Sequence, residues 1–323
     1  MTDAERLHLR EHFLEPETRC GFFVDENRKK LWKCMLDMLE MFDGVCRRHG
    51  LRYFLFYGSL LGAVRHKGFI PWDDDVDIVM PRPDFDRAQE ILRSGLATPY
   101  FLQNADTDRE YATSFFKIRN SDTAAITPFW VDRHIVVNLG IFIDVHSIDG
   151  IPKLRCSSKF LNFARNHMQQ VMQAKSRSGV SMPGGARGMI GRAASALLGL
   201  GMDKGFVPAI SKLANFAKFG TTEKSGITPF FYGYLPPRHQ YPTEWFDEAQ
   251  EADFEYLRVF LPRRAEELLT AEYGDWRKFV KGTEGGAQHQ WMRYDTERDY
   301  KTVLVEEYGY KPEEFLPGGR SRG

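Results

Sequence analysis

The sequence predicts an α+β protein: a mixed β-sheet flanked by helices, followed by a mostly helical C-terminal part. Two apolar strand patterns each carry carboxylates, Val76-Asp-Ile-Val-Met80 and Leu139-Gly-Ile-Phe-Ile-Asp-Val-His146. A strand pattern, a Gly-Ser pair and a helical pattern follow one another between Leu51 and Arg65. After Pro152 the apolar spacing turns helical. These features divide the chain into a core over 1–152 and a helical region over 153–323, packed together as one unit.

From Asp25 to His49, Leu31, Met35, Met38, Phe42 and Val45 recur at helical spacing, with Lys29, Lys30, Lys33, Asp37 and Glu40 on other faces. Gly50 suits the stop. Leu51–Tyr57 reads as a buried strand running into Gly58-Ser59, and Leu60–Arg65 resumes a helix that Ser59 is expected to cap. The free N–H groups of such a helix start face a docking anion. Val76–Met80 is a strand ended by Pro81 and Pro83, and Phe85, Ala88, Ile91 and Leu92 mark the next helix. Further strands are expected at Ser114–Arg119, Ala124–Ile126 and Leu139–His146. Beyond them come a helix around 159–175, a glycine-rich stretch over 179–205, an aromatic loop at Phe230–Tyr234, a helix at Arg263–Tyr273 and a polar tail from Pro312.

Side chains alternate along a strand, so Asp73, Asp75 and Asp77 share a face in this reading while Asp74 and Val76 take the other. Crowded carboxylates repel unless a cation lies between them. A hard divalent ion, Mg2+ or Mn2+, accepts carboxylate oxygens and keeps positions open for phosphate oxygens. Asp144 lies inside an apolar strand and needs a partner; the same ion would serve. Phe142, Asp144 and His146 share that strand's face. Gly58-Ser59, Asp75-x-Asp77 and Asp144 together form the pattern of a nucleotidyltransferase-type site.

The block Gly58-Ser-Leu-Leu-Gly-Ala-Val-Arg-His-Lys-Gly-Phe-Ile-Pro-Trp-Asp-Asp-Asp-Val-Asp-Ile78 resembles the signature of the LicD family, which includes fukutin and fukutin-related protein. The resemblance extends to Glu26–Trp32, Phe115–Arg119, Ile143–Pro152, Leu261-Pro262 and Tyr273-Gly-Asp-Trp276. It implies a nucleotidyltransferase-fold phosphotransferase that moves phosphocholine or a ribitol-phosphate-like group from a CDP-activated alcohol onto a hydroxyl of a glycan or glycolipid, releasing CMP. Asp75, Asp77 and Asp144 then take the family's metal-binding positions, with Asp73 touching a second ion or standing as an exposed turn carboxylate, and Asp74 a bystander. Nucleotidyl transfer from a nucleoside triphosphate, releasing pyrophosphate, stays open, as does a binding protein without turnover.

Arg65 and Lys67 lie between the Gly-Ser pair and the carboxylates, where either could bind a diphosphate. Lys117 and Arg119, at i and i+2, aim at one strand face. The alternative for each pair is a surface salt bridge worth about 0–1 kcal/mol; the phosphate reading leads for Arg65 and Lys117, and the two stand level for Lys67 and Arg119. His146 is a ligand, a neighbour of a ligand or a core histidine. His289 lies where the family has a C-terminal histidine, and Trp72 either stacks on substrate or fills the core.

Lys plus Arg and Asp plus Glu both number 44, leaving no excess charge for nucleic acid. The N-terminal residues lack a secretory signal's apolar core and no stretch is apolar enough to span a bilayer, so a cytoplasmic location is expected. The basic, apolar-interleaved stretch 186–220 is read as a lid on the core, in preference to peripheral contact with an anionic membrane. Cys20, Cys34, Cys46 and Cys156 show no zinc spacing and are expected to be reduced. Oligomeric state leaves no mark on the sequence.

Overall fold

The computed structural model describes residues 1–151 except 109 and 112, residue 212, and residues 218–227, 239–279 and 293–316. Helix α1 (Asp3–Glu11) and a hairpin of β1 (Glu17–Arg19) and β2 (Phe22–Val24) precede the long helix α2 (Glu26–His49). Asp25 caps α2 by accepting the Arg28 N–H at 2.8 Å, and Gly50 ends it in the left-handed region at φ 63°. The predicted apolar stripe is buried along α2, joined by Trp32, Leu36 and Leu39.

Then come β3 (Phe54–Leu55), α3 (Tyr57–His66), β4 (Asp77–Pro81), α4 (Arg82–Gly95), β5 (Tyr100–Gln103), β6 (Phe116–Asn120), β7 (Ala124–Ile126), α5 (Pro128–Val131) and β8 (Ile141–Ile151). The remaining described elements are β9 (Lys224–Ile227), β10 (Tyr241–Pro242), the hairpin β11 (Ala249–Phe254) and β12 (Leu257–Pro262), α6 (Ala265–Tyr273), β13 (Arg293–Asp295) and α7 (Tyr300–Tyr308).

Seven strands make one mixed sheet, ordered β10-β9-β8-β4-β3, with β6 also paired to β8 and β5 to β6. The long strand β8 organises it, lying parallel to β4 and antiparallel to β6 and β9. Helix α2 packs on β8 and β6, and α4 on β8 and β4. One hydrophobic cluster runs from Phe13 to Trp276 and draws in Trp32, Phe54, Phe69, Phe116, Phe246, Phe254 and Leu268. A second gathers Ile126, Ile135, Val303, Leu304 and Tyr310 beside β7 and α7.

The architecture is mixed helix and sheet as predicted, and several local expectations are corrected. The strand expected over Leu51–Tyr57 shrinks to Phe54-Leu55, because α3 already begins at Tyr57 with Phe56 at its N-cap. Gly58 and Ser59 therefore belong to the first helical turn, and Ser59 caps nothing: its hydroxyl accepts the Asp77 N–H at 2.9 Å and joins α3 to the start of β4. Past residue 152 the described residues hold five strands beside two nine-residue helices, α6 and α7. The described start of the expected polar tail is a short 3-10 turn, Pro312–Phe315, with Phe315 against Tyr300 and Tyr310. The helix around 159–175, the glycine-rich stretch, nearly all of 186–220, the aromatic loop 230–234, Cys156 and His289 lie outside the described residues.

Candidate active site

The register of the sheet builds the centre of the site. Asp77 at the start of β4 pairs with Asp144 on β8, and Asp144 pairs in turn with Lys117 on β6. Directly paired residues project from the same face. Two carboxylates and an ammonium are thus set abreast on three adjoining strands, with Lys117 Nζ 2.5 Å from Asp144 Oδ1. His146, two residues along β8, brings Nε2 to 3.4 Å from Asp77 Oδ1. Its ring stacks on Phe115 with centroids 4.8 Å apart. Asp77, Asp144 and His146 each offer a ligand atom within 4.8 Å of the others.

Asp73, Asp74 and Asp75 form a second such group. The strand begins only at Asp77, so the alternation expected over 73–77 does not hold. A turn in which the Asp73 N–H donates to the Ile70 carbonyl at 2.9 Å lets all three carboxylates converge. Asp73 is buried rather than exposed, and Asp74 is buried beside it rather than facing away. Helix α2 holds this turn: Trp32 Nε1 and Arg28 Nη1 both donate to the Asp73 carbonyl, at 2.9 and 3.0 Å. A Cβ on Gly58 would stand 2.7 Å from Asp73 Oδ2, so only glycine lets the first turn of α3 approach that carboxylate. Tyr57, at φ 44°, makes the sharp strand-to-helix junction that brings it there.

The electrostatics favour binding of a cation. Burial, then the charge of Asp77, pushes the Asp73 carboxyl up to about 7. Asp75 is raised well above the carboxylate range by burial and by Asp77, Asp73 and Asp144. Desolvation lowers Lys117 to about 8 although Asp144 opposes the shift. One ammonium against this many acids leaves the cluster short of positive charge, and oxygen donors with one imidazole suit Mg2+ or Mn2+.

The other basic candidates separate. Arg65 is half-buried, with Nη1 3.1 Å from the Trp276 carbonyl and Nε 2.9 Å from His66 Nε2, neither of them an anion. Desolvation lowers its pKa. Lys67 is exposed at the end of α3, in the left-handed region at φ 59°, and its carbonyl accepts the Glu255 N–H. Arg119 shares the Lys117 face but turns inward, donating to Gln103 Oε1 at 2.5 Å and the Gly140 carbonyl at 2.6 Å over the Phe142 ring. Trp72 is buried, edge-on to Phe279 at 5.3 Å, and fills core beneath the carboxylate turn.

Three features escape a reading of the sequence. Asp74 had the wrong parity for a strand that is absent there. Arg82 and Asp149 form a buried pair, Nε–Oδ1 2.8 Å and Nη2–Oδ2 2.9 Å, which ties the start of α4 to the end of β8. Tyr57 and Tyr273 are both raised by burial and by acids of the site, Asp77 for each and Asp73 for Tyr273. Helix α6 packs on α3, and Tyr273 at its end feels the charge of Asp77 and Asp73. Only the Tyr273-Gly-Asp-Trp276 resemblance hinted at this.

The mixed sheet thus sets acids of neighbouring strands abreast, and the first turn of α3 packs against the carboxylate of Asp73. Comparison with known proteins finds similarity over part of the chain. Residues 50–152 match the LicD/FKTN/FKRP nucleotidyltransferase domain. The chain is 34% identical over 118 residues to the lipopolysaccharide cholinephosphotransferase LicD of Haemophilus influenzae, covering 36% of this chain and 42% of that protein. It is 31% identical over 80 residues to the ribitol 5-phosphate transferase FKRP of Homo sapiens, covering 25% of this chain and 16% of that protein. The chain thus spans less than half the length of these relatives.

Proposed function

We propose that the protein is a metal-dependent transferase that moves a phospho-alcohol, phosphocholine or a ribitol-phosphate-like group, from a CDP-activated donor to a hydroxyl of a glycan or glycolipid. The observation that carries this reading is the pairing of Asp77 with Asp144 across β4 and β8, with His146 within ligand distance of both, inside a LicD-family segment. The nucleotidyltransferase character of the fold rests on the same segment.

Asp77, Asp144 and His146 would hold Mg2+ or Mn2+, and Asp73 and Asp75 would extend the acidic floor. When bound, the ion draws charge from the phosphorus and steadies the attacking and leaving oxygens. The chain's own groups do the rest. The N–H groups of Gly58 and Ser59, in the first turn of α3, have no carbonyl four residues back within that helix and can receive a phosphate oxygen. Arg65 adds positive charge from the other end of the same helix. Lys117 holds the Asp144 carboxylate in place. In the reaction the acceptor oxygen bonds to the alcohol-bearing phosphorus, a carboxylate of the cluster takes its proton, and the phosphorus–oxygen bond to CMP breaks.

Incubation with Mg2+ or Mn2+, CDP-choline or CDP-ribitol and a glycan panel should release CMP, with chelator abolishing it. Asp77→Asn and Asp144→Asn should each lower the rate on the order of 100-fold or more. Pyrophosphate from a nucleoside triphosphate in place of CMP would move the reaction to the nucleotide's α-phosphorus. No CMP across the panel would overturn the reading.

A further inference from the structure

The turn that carries Asp73, Asp74 and Asp75 is fastened at its far end by a residue well outside the family-matched segment. Glu255, at the tip of the β11–β12 hairpin, is 2% exposed. Its Oε1 accepts the Phe69 N–H at 2.9 Å and Arg19 Nη1 at 2.7 Å, while Oε2 accepts Arg19 Nη2 at 3.2 Å. Its own N–H donates to the Lys67 carbonyl at 2.7 Å, and Arg19 Nη1 also reaches the Phe69 carbonyl at 3.1 Å. Lys67, Gly68 and Phe69 are therefore gripped from two hairpins at once. The fit is close: a Cβ on Gly68 would lie 2.1 Å from Glu255 Oε1. Glu255 also stands at φ 50°, a left-handed conformation that L-residues rarely adopt.

From this grip the path to the carboxylates is short and rigid. The Phe69 ring stacks on Trp32, centroids 4.7 Å apart and 7° from parallel, and packs on Phe254 at 4.9 Å. The same Trp32 donates its Nε1–H to the Asp73 carbonyl. Ile70, next to Phe69, accepts the Asp73 N–H. Any shift of Phe69 is thus passed to Asp73 through one ring and one turn.

We propose that Glu255, with Arg19, is a positioning residue for the metal-binding carboxylates: the clamp fixes the Lys67–Phe69 loop and thereby the reach of Asp73 and Asp75. The proposal rests on the reading of the acidic cluster as a cation site. Its test is Mn2+ affinity, measured by calorimetry on the full chain, together with amide hydrogen exchange. Glu255→Gln keeps an acceptor for Phe69 but removes the charge that Arg19 grips. A folded E255Q protein, judged by circular dichroism, should bind Mn2+ about tenfold more weakly, with faster exchange at the Asp73 amide and unchanged protection along β8. Unchanged affinity and unchanged Asp73 exchange in folded E255Q would overturn the proposal. Should E255Q not fold, Arg19→Lys, which retains charge but cannot grip both oxygens, is measured in the same two ways: weaker binding with faster Asp73 exchange supports the clamp, and no change in either overturns it. If the wild-type protein binds no Mn2+, the cation reading of the cluster fails on its own, and exchange at Asp73 decides the clamp.

Discussion

At the scale of residues, the crowding of buried acids at this site affects stability with a measurable sign. Asp73, pushed from 3.8 up to about 7, and Asp75, raised as well, keep their protons to higher pH in the folded state than in the unfolded one. Across that window the folded state binds more protons, so rising pH favours unfolding. In chelator, this contribution should lower the melting temperature between about pH 4 and 7, Asp75→Asn should flatten the fall, and Mn2+ should restore stability above pH 7. Identical profiles for wild type and D75N would contradict the assignment. Gly58→Ala supplies a second test. Alanine in place of glycine inside a helix ordinarily stabilises by about 1 kcal/mol, but here the new methyl meets Asp73 Oδ2 at 2.7 Å. Calorimetry should find Mn2+ binding weakened and denaturant titration should find no gain in stability. The cysteines give a third contrast. Burial pushes Cys34 up to about 12 and raises Cys46 as well, whereas Cys20 is exposed. Peptide mapping after native alkylation should find Cys20 modified and Cys34 and Cys46 protected until the protein unfolds.

At the scale of elements, the site depends on how β4, β6 and β8 are held in register. Arg82 begins α4 and grips Asp149 near the end of β8, so the helix that follows β4 is bolted to the strand paired with it. Burial of both partners makes the loss of one costly. Asp149→Asn should destabilise by about 3 kcal/mol, read as a shift in the urea midpoint, while Asp86→Asn, at the rim of the same arginine, should cost less than about 1 kcal/mol. Equal effects would mean that the buried pair has no special weight. The elements also show what apolar periodicity can convey. Helix α2 was legible because its stripe, N-cap and glycine stop agree, and β8 because its alternation places Asp144 and His146 opposite Ile143 and Val145. The 73–77 segment was not, since an acidic run has no apolar period, and a turn closed by a backbone bond to Ile70 leaves no mark on residue types.

At the scale of the molecule, the family-matched segment shares its core with the rest of the chain. Its core is completed from both sides: Trp32, Leu36 and Leu39 come from α2, Phe246, Phe254 and Val259 from the region of β11 and β12, and Leu268 from α6. A fragment of residues 50–152 alone would leave that apolar surface in water and should show the poorly dispersed amide spectrum of an unfolded chain by NMR, whereas the full chain should show a dispersed one. A dispersed fragment spectrum would refute this. No helix among the described residues is long and apolar enough to cross a membrane.

The sequence by itself determined the chemistry on offer: acids, a Gly-Ser pair and basic residues in an order that resembles one family, on segments whose periodicity declares helix or strand. Residue type and local spacing are enough for that. Tertiary structure alone decided which acids meet. Strand register set Asp77 beside Asp144 and Lys117, a turn brought Asp74 in with Asp73 and Asp75, and a hairpin almost two hundred residues away in sequence came to hold Phe69 through Glu255. Those contacts depend on which surfaces bury together, and burial joins residues that the order of the chain keeps apart.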